Sequence, residues 1–329
     1  MKKFAFIIVL LFSSINYSQV IEIERGKIEI VGLKQFTPTT LIDSLAKLHP
    51  GKPVHACASS MKKDFGFFDV SSTLHRMEGR KYYYIVTVIE NDSLNNINYL
   101  EDPIDSLAIL SEYKDVEEIL SNRRTYLPGL LKYYKLIESE NIDSAKVLAG
   151  NYGLDSTTVK IFSNFLTKHK AIKDLNLALW ILNNDSNPVN NKIALSIITN
   201  FDNYDIVWWT LMNLQRRHSR FFMTAMEVLQ VLSEKPRNID WSPVAPGIRN
   251  ILAGTNLFTF WMTLEILVKT NISPTLANDI LKNNKQLLLD YLDIQHKITQ
   301  DVVISFIRQI SNTNKELSIQ ECKKWLVEY

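Results

Sequence analysis

Cysteine is almost missing from this sequence: Cys57 and Cys322 are the only two in 329 residues. Two cysteines cannot form a disulfide scaffold for a chain of this length. Stability must come from apolar burial, and 46% of the residues are hydrophobic. The two thiols are expected to be independent and buried. A charge surplus is missing too. The chain has 37 basic and 35 acidic residues, and without Lys2 and Lys3 the balance is even. Nucleic-acid binding draws on a basic surplus along one face, so nucleic acid is not an expected partner. Familiar catalytic patterns are also absent. There is no HExxH, GxSxG, GxGxxG or P-loop, and the hydrolase, dinucleotide and ATPase chemistries they carry lose their usual signatures. Ser60-x-x-Lys63 has the spacing of a penicillin-binding nucleophile. The same spacing recurs at Ser44–Lys47, Ser59–Lys62 and Ser111–Lys114 without a KTG partner, which marks it as chance. His49, His55 and Cys57 lie close in sequence but lack a second pair at zinc-like spacing. No metal, no cofactor and no catalytic residue is expected.

Long apolar runs are scarce as well. The run FAFIIVLLF, Phe4 to Phe12, is nine residues, whereas a spanning helix needs about twenty. With Lys2 and Lys3 before it and small or polar residues through Ser18 after it, residues 1–18 read as a cleavable signal peptide. No cysteine follows the run, so no lipid anchor is expected. After cleavage no spanning segment is expected. The protein is expected to be exported, to the periplasm, the outer membrane or the medium.

Residues 22–92 read as a small α/β module. Ile28 and Ile30 alternate with Lys27 and Glu29, a strand pattern closed by Gly32. Thr37 before Pro38 is an N-cap followed by proline at the first helical position, and predicts a helix from about 39 to 48. A second helix is predicted over 54–65, closed by Gly66. Phe68, Val70, Ser72 and Leu74 then alternate with polar residues. Glu78-Gly79 turns the chain into a last strand, 81–90, apolar on both faces as a central strand is. The predicted order is βααββ.

The stretches IEIVGLKQFTPTTLIDSL, GKPV, DFGFFDVSSTL and YYYIVTVIE resemble a POTRA domain, the polypeptide-transport-associated module. Three places carry the resemblance: the strand and glycine ahead of Phe36-Thr37, the step Gly66-Phe67-Phe68-Asp69-Val70, and the final strand ending in Glu90. The resemblance implies a periplasmic module that binds other envelope proteins, often by pairing a strand onto its free sheet edge. The implied edge is the Asp69–His75 strand, with Asp69, Ser71, Thr73 and His75 as candidate partner-binding residues. Proline at Ser71 or Thr73 is the expected way to block it. The β-barrel that follows many POTRA domains is not expected here, since residues 104–329 read as helical.

Residues 93–103 read as a polar linker. Residues 104–329 then carry apolar stripes at helical spacing, such as Phe260, Leu264, Leu267 and Val268. Ala225–Leu229 matches Thr263–Leu267 at a shift of 38, and Ala194–Ile198 has the same form 31 residues earlier. Periods of this size are those of helical-hairpin repeats. The segment resembles degenerate HEAT repeats, and implies a right-handed helical-repeat (α-solenoid) domain with an irregular helical bundle as the alternative. Arg216, Arg217 and Arg220 form its sharpest basic cluster. They read either as cations at a helix C-terminus or as a patch for an acidic partner. Trp208-Trp209 and Tyr82-Tyr83-Tyr84 read as core. The overall expectation is an α+β, non-enzymatic protein–protein interaction protein, an accessory in outer-membrane protein assembly or secretion. The alternatives are a purely structural scaffold and an envelope enzyme with an unfamiliar site. The oligomeric state is open.

Overall fold

The computed structural model describes residues 20–24, 26–90, 97–122, 126–217, 221–282, 284–313 and 315–328, without the side chains at positions 55, 80, 221 and 222. The expected leader, residues 1–18, lies outside them. The chain forms two compact units: Met1–Asn91 with Asp293–Gln295, and Asp92–Leu292 with His296–Tyr329. The fold is α+β, a small sheet followed by a helix-rich region.

In the first unit, strands β1 (Val20–Ile23), β2 (Gly26–Val31), β3 (Asp69–Arg76) and β4 (Tyr82–Ile89) stand in the order β1-β2-β4-β3. β2 and β4 are parallel, and the outer pairs are antiparallel. The βααββ order is present, preceded by β1, which the sequence pattern did not reveal. Helices α1 (Pro38–Leu48) and α2 (Ala58–Phe65) cover one face of the sheet. The predicted 54–65 helix is split, with a single 3-10 turn over Val54–Ala56 before α2. Leu41, Leu45 and Met61 pack there against Ile28, Ile30, Tyr84, Val86 and Val88.

Local chemistry sets these boundaries. The Thr37 hydroxyl accepts the Thr40 N–H, and the Thr40 hydroxyl accepts the Thr37 N–H, a capping box with threonine in the usual Glu position. Gly66 ends α2 in the left-handed conformation, φ 70°. At Gly32, φ is 90° and a Cβ would lie 2.2 Å from the Val88 carbonyl oxygen, so a side chain cannot be accommodated where β2 leaves the sheet.

The places that carry the family resemblance are joined physically. Glu90, 4% exposed at the end of β4, accepts three successive backbone N–H groups: Lys34 at 2.9 Å, Gln35 at 2.8 Å and Phe36 at 3.3 Å. Phe36 in turn packs edge-on against Phe65 and Phe67. One carboxylate thereby ties the loop after β2 to the last strand, while three aromatic rings tie it to the end of α2.

The second unit has fourteen helices among its described residues. They are α3 (Lys114–Ser121), α4 (Leu127–Glu138), α5 (Ile142–Tyr152), α6 (Ser156–Lys168), α7 (Ile172–Asn184), α8 (Pro188–Ile198), α9 (Asp205–Leu214), α10 (Phe221–Leu232), α11 (Ala245–Ala253), α12 (Leu257–Lys269), α13 (Pro274–Leu281), α14 (Lys285–Asp293), α15 (Lys297–Ile310) and α16 (Ile319–Glu328). The three matching sequence blocks fall on α8, α10 and α12. These helices contact one another in series, and α12 goes on to contact α15. A parallel series of contacts joins α9, α11 and α13. Ala194, Ile197, Ala225, Leu229, Leu264 and Leu267 are all fully buried, so the recurring block is the core of the unit. Helices α3 and α4 pack across α8 and α10. Contacts of that kind, between elements far apart in sequence, are not those of a stack in which each repeat meets only its neighbours. No helix among the described residues is long and apolar enough to cross a membrane. All six tryptophans of the chain belong to this unit.

Candidate functional site

β3 is an edge strand, paired in the sheet with β4. The register sets Ser71 opposite Thr87, Thr73 opposite Ile85 and His75 opposite Tyr83. Beyond His75, the Met77 N–H donates to the Lys81 carbonyl at 2.9 Å, the closing pair of the hairpin. Along an antiparallel strand the main-chain groups of successive residues point alternately toward and away from the neighbour. Counting back from Met77, the groups of His75, Thr73, Ser71 and Asp69 face β4, and those of Arg76, Leu74, Ser72 and Val70 face outward. At the other end, the Phe68 N–H donates to Ile89 at 2.9 Å although Asp69 is the residue opposite Ile89. Two residues facing one is a bulge, and it leaves the same alternation.

The structure places the four candidate residues on the inward-bonding set. Asp69, Ser71, Thr73 and His75 do share one face of β3, but they are the residues whose main-chain groups are turned inward. Their side chains are not at an open surface either. Asp69 is 6% exposed and bonded to the Lys62 ammonium at 2.5 Å. Ser71, Thr73 and His75 are half-buried. Burial lowers the pKa of the His75 imidazole, and its ring lies 6.5 Å from that of Tyr83. The residues whose main-chain groups face away from β4 are Val70, Ser72, Leu74 and Arg76. The last three also expose their side chains, and Leu74 (53%), Phe68 (46%) and Met77 (38%) place apolar surface along the edge. The signal that could have found them was the turn: once Glu78-Gly79 closes the hairpin, Met77 pairs with Lys81 and the parity follows.

The arginine cluster is divided. Arg217 is 9% exposed, and its guanidinium donates to the carbonyls of Leu182 at 2.7 Å and Asn183 at 3.2 Å, in the last turn of α7. It satisfies helix-end acceptors, the structural alternative, and is not an open patch. Arg216 is half-buried and donates to the Asn98 carbonyl at 3.0 Å. Burial lowers both guanidinium pKa values, while Asp102 acts to raise that of Arg217. Arg220 lies outside the described residues.

Cys57 and Cys322 are free and buried. Desolvation raises the pKa of both thiols, that of Cys322 to about 11 with Glu321 adding to it. His49 Nε2 meets Asp64 at 2.9 Å, and the His55 side chain is outside the described set. Among the described residues no group of three His, Cys, Asp or Glu side chains could hold a metal ion. Trp208, Tyr83 and Tyr84 are buried. Compared with protein-family models, curated proteins and solved structures, the chain matches none.

Proposed function

We propose that this is a non-enzymatic cell-envelope interaction protein. Its first unit is a POTRA-like module that captures an extended segment of another polypeptide by strand addition at β3. Its second unit is a HEAT-like helical stack that docks a further protein. The observation that carries the reading is the outward main chain of Val70, Ser72, Leu74 and Arg76, next to the exposed side chains of Phe68, Leu74 and Met77. Main-chain pairing supplies affinity in such a mode, and alternate side chains supply selection. An apolar residue at every second position of the captured segment would meet Leu74. The leader pattern read at residues 1–18 supports the same compartment. The stack reading is supported by the α8–α10–α12–α15 and α9–α11–α13 series, with α3 and α4 as a departure from a simple repeat.

The test is proline at the outward positions. Ser72→Pro and Leu74→Pro remove an outward N–H and leave the β3–β4 ladder intact. Thr73→Pro removes an inward one and should damage the sheet. The probe is a short fluorescent peptide of alternating valine and threonine, read by anisotropy. Binding by the wild type that is lost in the Ser72 and Leu74 variants, with tyrosine circular dichroism unchanged, supports the proposal. Binding that survives both substitutions, or a wild type that does not bind, sinks it.

A further inference from the structure

Residues 97–107, most of them expected to belong to a linker, are held along the helical unit at three stations. At the first, the Asn98 N–H donates to Asn250 Oδ1 at 2.7 Å, and the Asn98 carbonyl accepts from Arg216 Nη2 at 3.0 Å. At the second, the Leu100 N–H donates to the Arg216 carbonyl at 2.8 Å, and Leu100 pairs with Arg217 as an isolated parallel bridge. At the third, Ser186 donates its N–H to the Asp105 carbonyl at 2.7 Å, and its hydroxyl contacts the carbonyls of Asp105 at 2.9 Å and Ile104 at 3.3 Å. The Leu107 N–H donates to Asp185 Oδ1 at 3.1 Å, and its carbonyl accepts from Asn187 at 3.2 Å and Asn190 at 3.3 Å.

Every one of these bonds reads the main chain of the strap. Its buried side chains are confined to its start, where Ile97 is 9% exposed and Tyr99 and Leu100 are half-buried. Glu101, Asp102, Asp105 and Ser106 are exposed, and Ile104 is 94% exposed. The reading groups are fixed from below. Asp185 is fully buried, and its carboxylate also accepts the Asn187 N–H at 2.8 Å and Asn190 Nδ2 at 2.6 Å. Its own carbonyl accepts from Asn191 at 2.8 Å. Arg216 lies against Gly247, where an added Cβ would come within 3.4 Å of its Cδ and 2.6 Å of Asn213 Oδ1. A rigid, polar track thus meets a strap of three acidic residues and no basic one, with two arginines beside it.

We propose that this track is a binding site for an extended acidic segment of a partner polypeptide, occupied here in cis by residues 98–107. Segments with few buried apolar contacts open at low free-energy cost, so the strap is exchangeable while the helices stay folded. The acidic character of the occupant reaches the cluster through Asp102, whose charge acts on the buried Arg217 guanidinium. This inference stands on the second unit alone and does not depend on the β3 edge.

The experiment uses the full chain with residues 98–107 replaced by glycine and serine of equal length, and a labelled synthetic peptide of residues 97–108. Saturable binding to the replaced chain, with binding to the wild type about tenfold weaker or more because the strap competes, supports the proposal. A peptide of the same composition, permuted with Ile97 and Pro103 kept in place, should bind equally well, whereas proline at Leu100 or Leu107 of the peptide should weaken binding about tenfold, by loss of one main-chain donor. A replaced chain that keeps its tryptophan-monitored unfolding transition but does not bind the peptide overturns the proposal. So does one that loses the transition, since the strap is then an integral wall. Wild-type hydrogen exchange gives an independent reading. The Leu100 and Leu107 amides should exchange faster than those of α8. Equal protection would mean that the strap leaves only when the unit unfolds, and would overturn the proposal.

Discussion

Replacing Glu90 with alanine should loosen the first unit selectively. The carboxylate is 4% exposed and accepts the N–H groups of Lys34, Gln35 and Phe36. A hydrogen bond to a charged group contributes roughly 1.5–3 kcal/mol. Three of them do not sum here, because Lys34 and Gln35 are exposed residues and water replaces part of what is lost. The net cost is therefore about 3 kcal/mol, a large share of the 5–15 kcal/mol that typical domains possess. That corresponds to roughly a hundredfold faster exchange of the β2 and β4 amides, at about 1.4 kcal/mol per factor of ten. Glu90→Gln keeps one acceptor but turns an amide nitrogen toward the donors, so it should fall between wild type and alanine. Hydrogen exchange resolved by residue is the assay. Tryptophan fluorescence in urea is the internal reference, because no tryptophan lies in residues 1–91. If Glu90→Ala leaves β2 and β4 exchange unchanged, the carboxylate does not hold the loop and the argument fails.

Two other outcomes are expected. Cys57 and Cys322, 1% and 0% exposed with raised thiol pKa values, should resist an aromatic disulfide reagent in the native state and react in urea; rapid native-state labelling of either would refute their burial. At α16, Glu321 accepts the Ser318 N–H and hydroxyl at 2.8 Å, and these bonds, with Lys315 at 3.1 Å adding to them, pull its pKa down to about 2. A depressed carboxylate contributes stability that is present above its unfolded value of about 4.5 and is lost as pH falls toward 2. The last helix should therefore fray in acid, by amide exchange, and Glu321→Gln should remove that pH dependence; an unchanged profile would count against the cap.

Legibility followed the range of the interactions involved. Helix α1, the end of α2 and the β3–β4 hairpin were readable because Thr37-Pro38, Gly66 and Glu78-Gly79 act on their own neighbours. Strand β1 was not, since Val20–Ile23 is four residues beside the expected leader and shows no long alternation. The β3 edge was readable as a strand, but the direction of its main-chain groups was not. Side-chain alternation tells which face a residue occupies, and says nothing of which flank its amide serves. The repeat blocks led to α8, α10 and α12 because a helix buried on several sides keeps the same apolar form. The strap was invisible: Asp185, Arg216 and Asn250 reach it over long sequence separations, and no local pattern announces such bonds.

The finite length of β3 sets a ceiling on what the edge can do. Eight residues at about 3.3 Å each make a ledge about 26 Å long, with four outward residues. A guest strand longer than that ledge finds no further amides to join, so its grip should plateau with length. Peptide groups are alike in every guest, so the ladder cannot tell one from another. In the proposed strand addition, discrimination would rest with Phe68, Leu74 and Met77, three exposed side chains that could be altered to change what is accepted without touching how tightly the backbone is held.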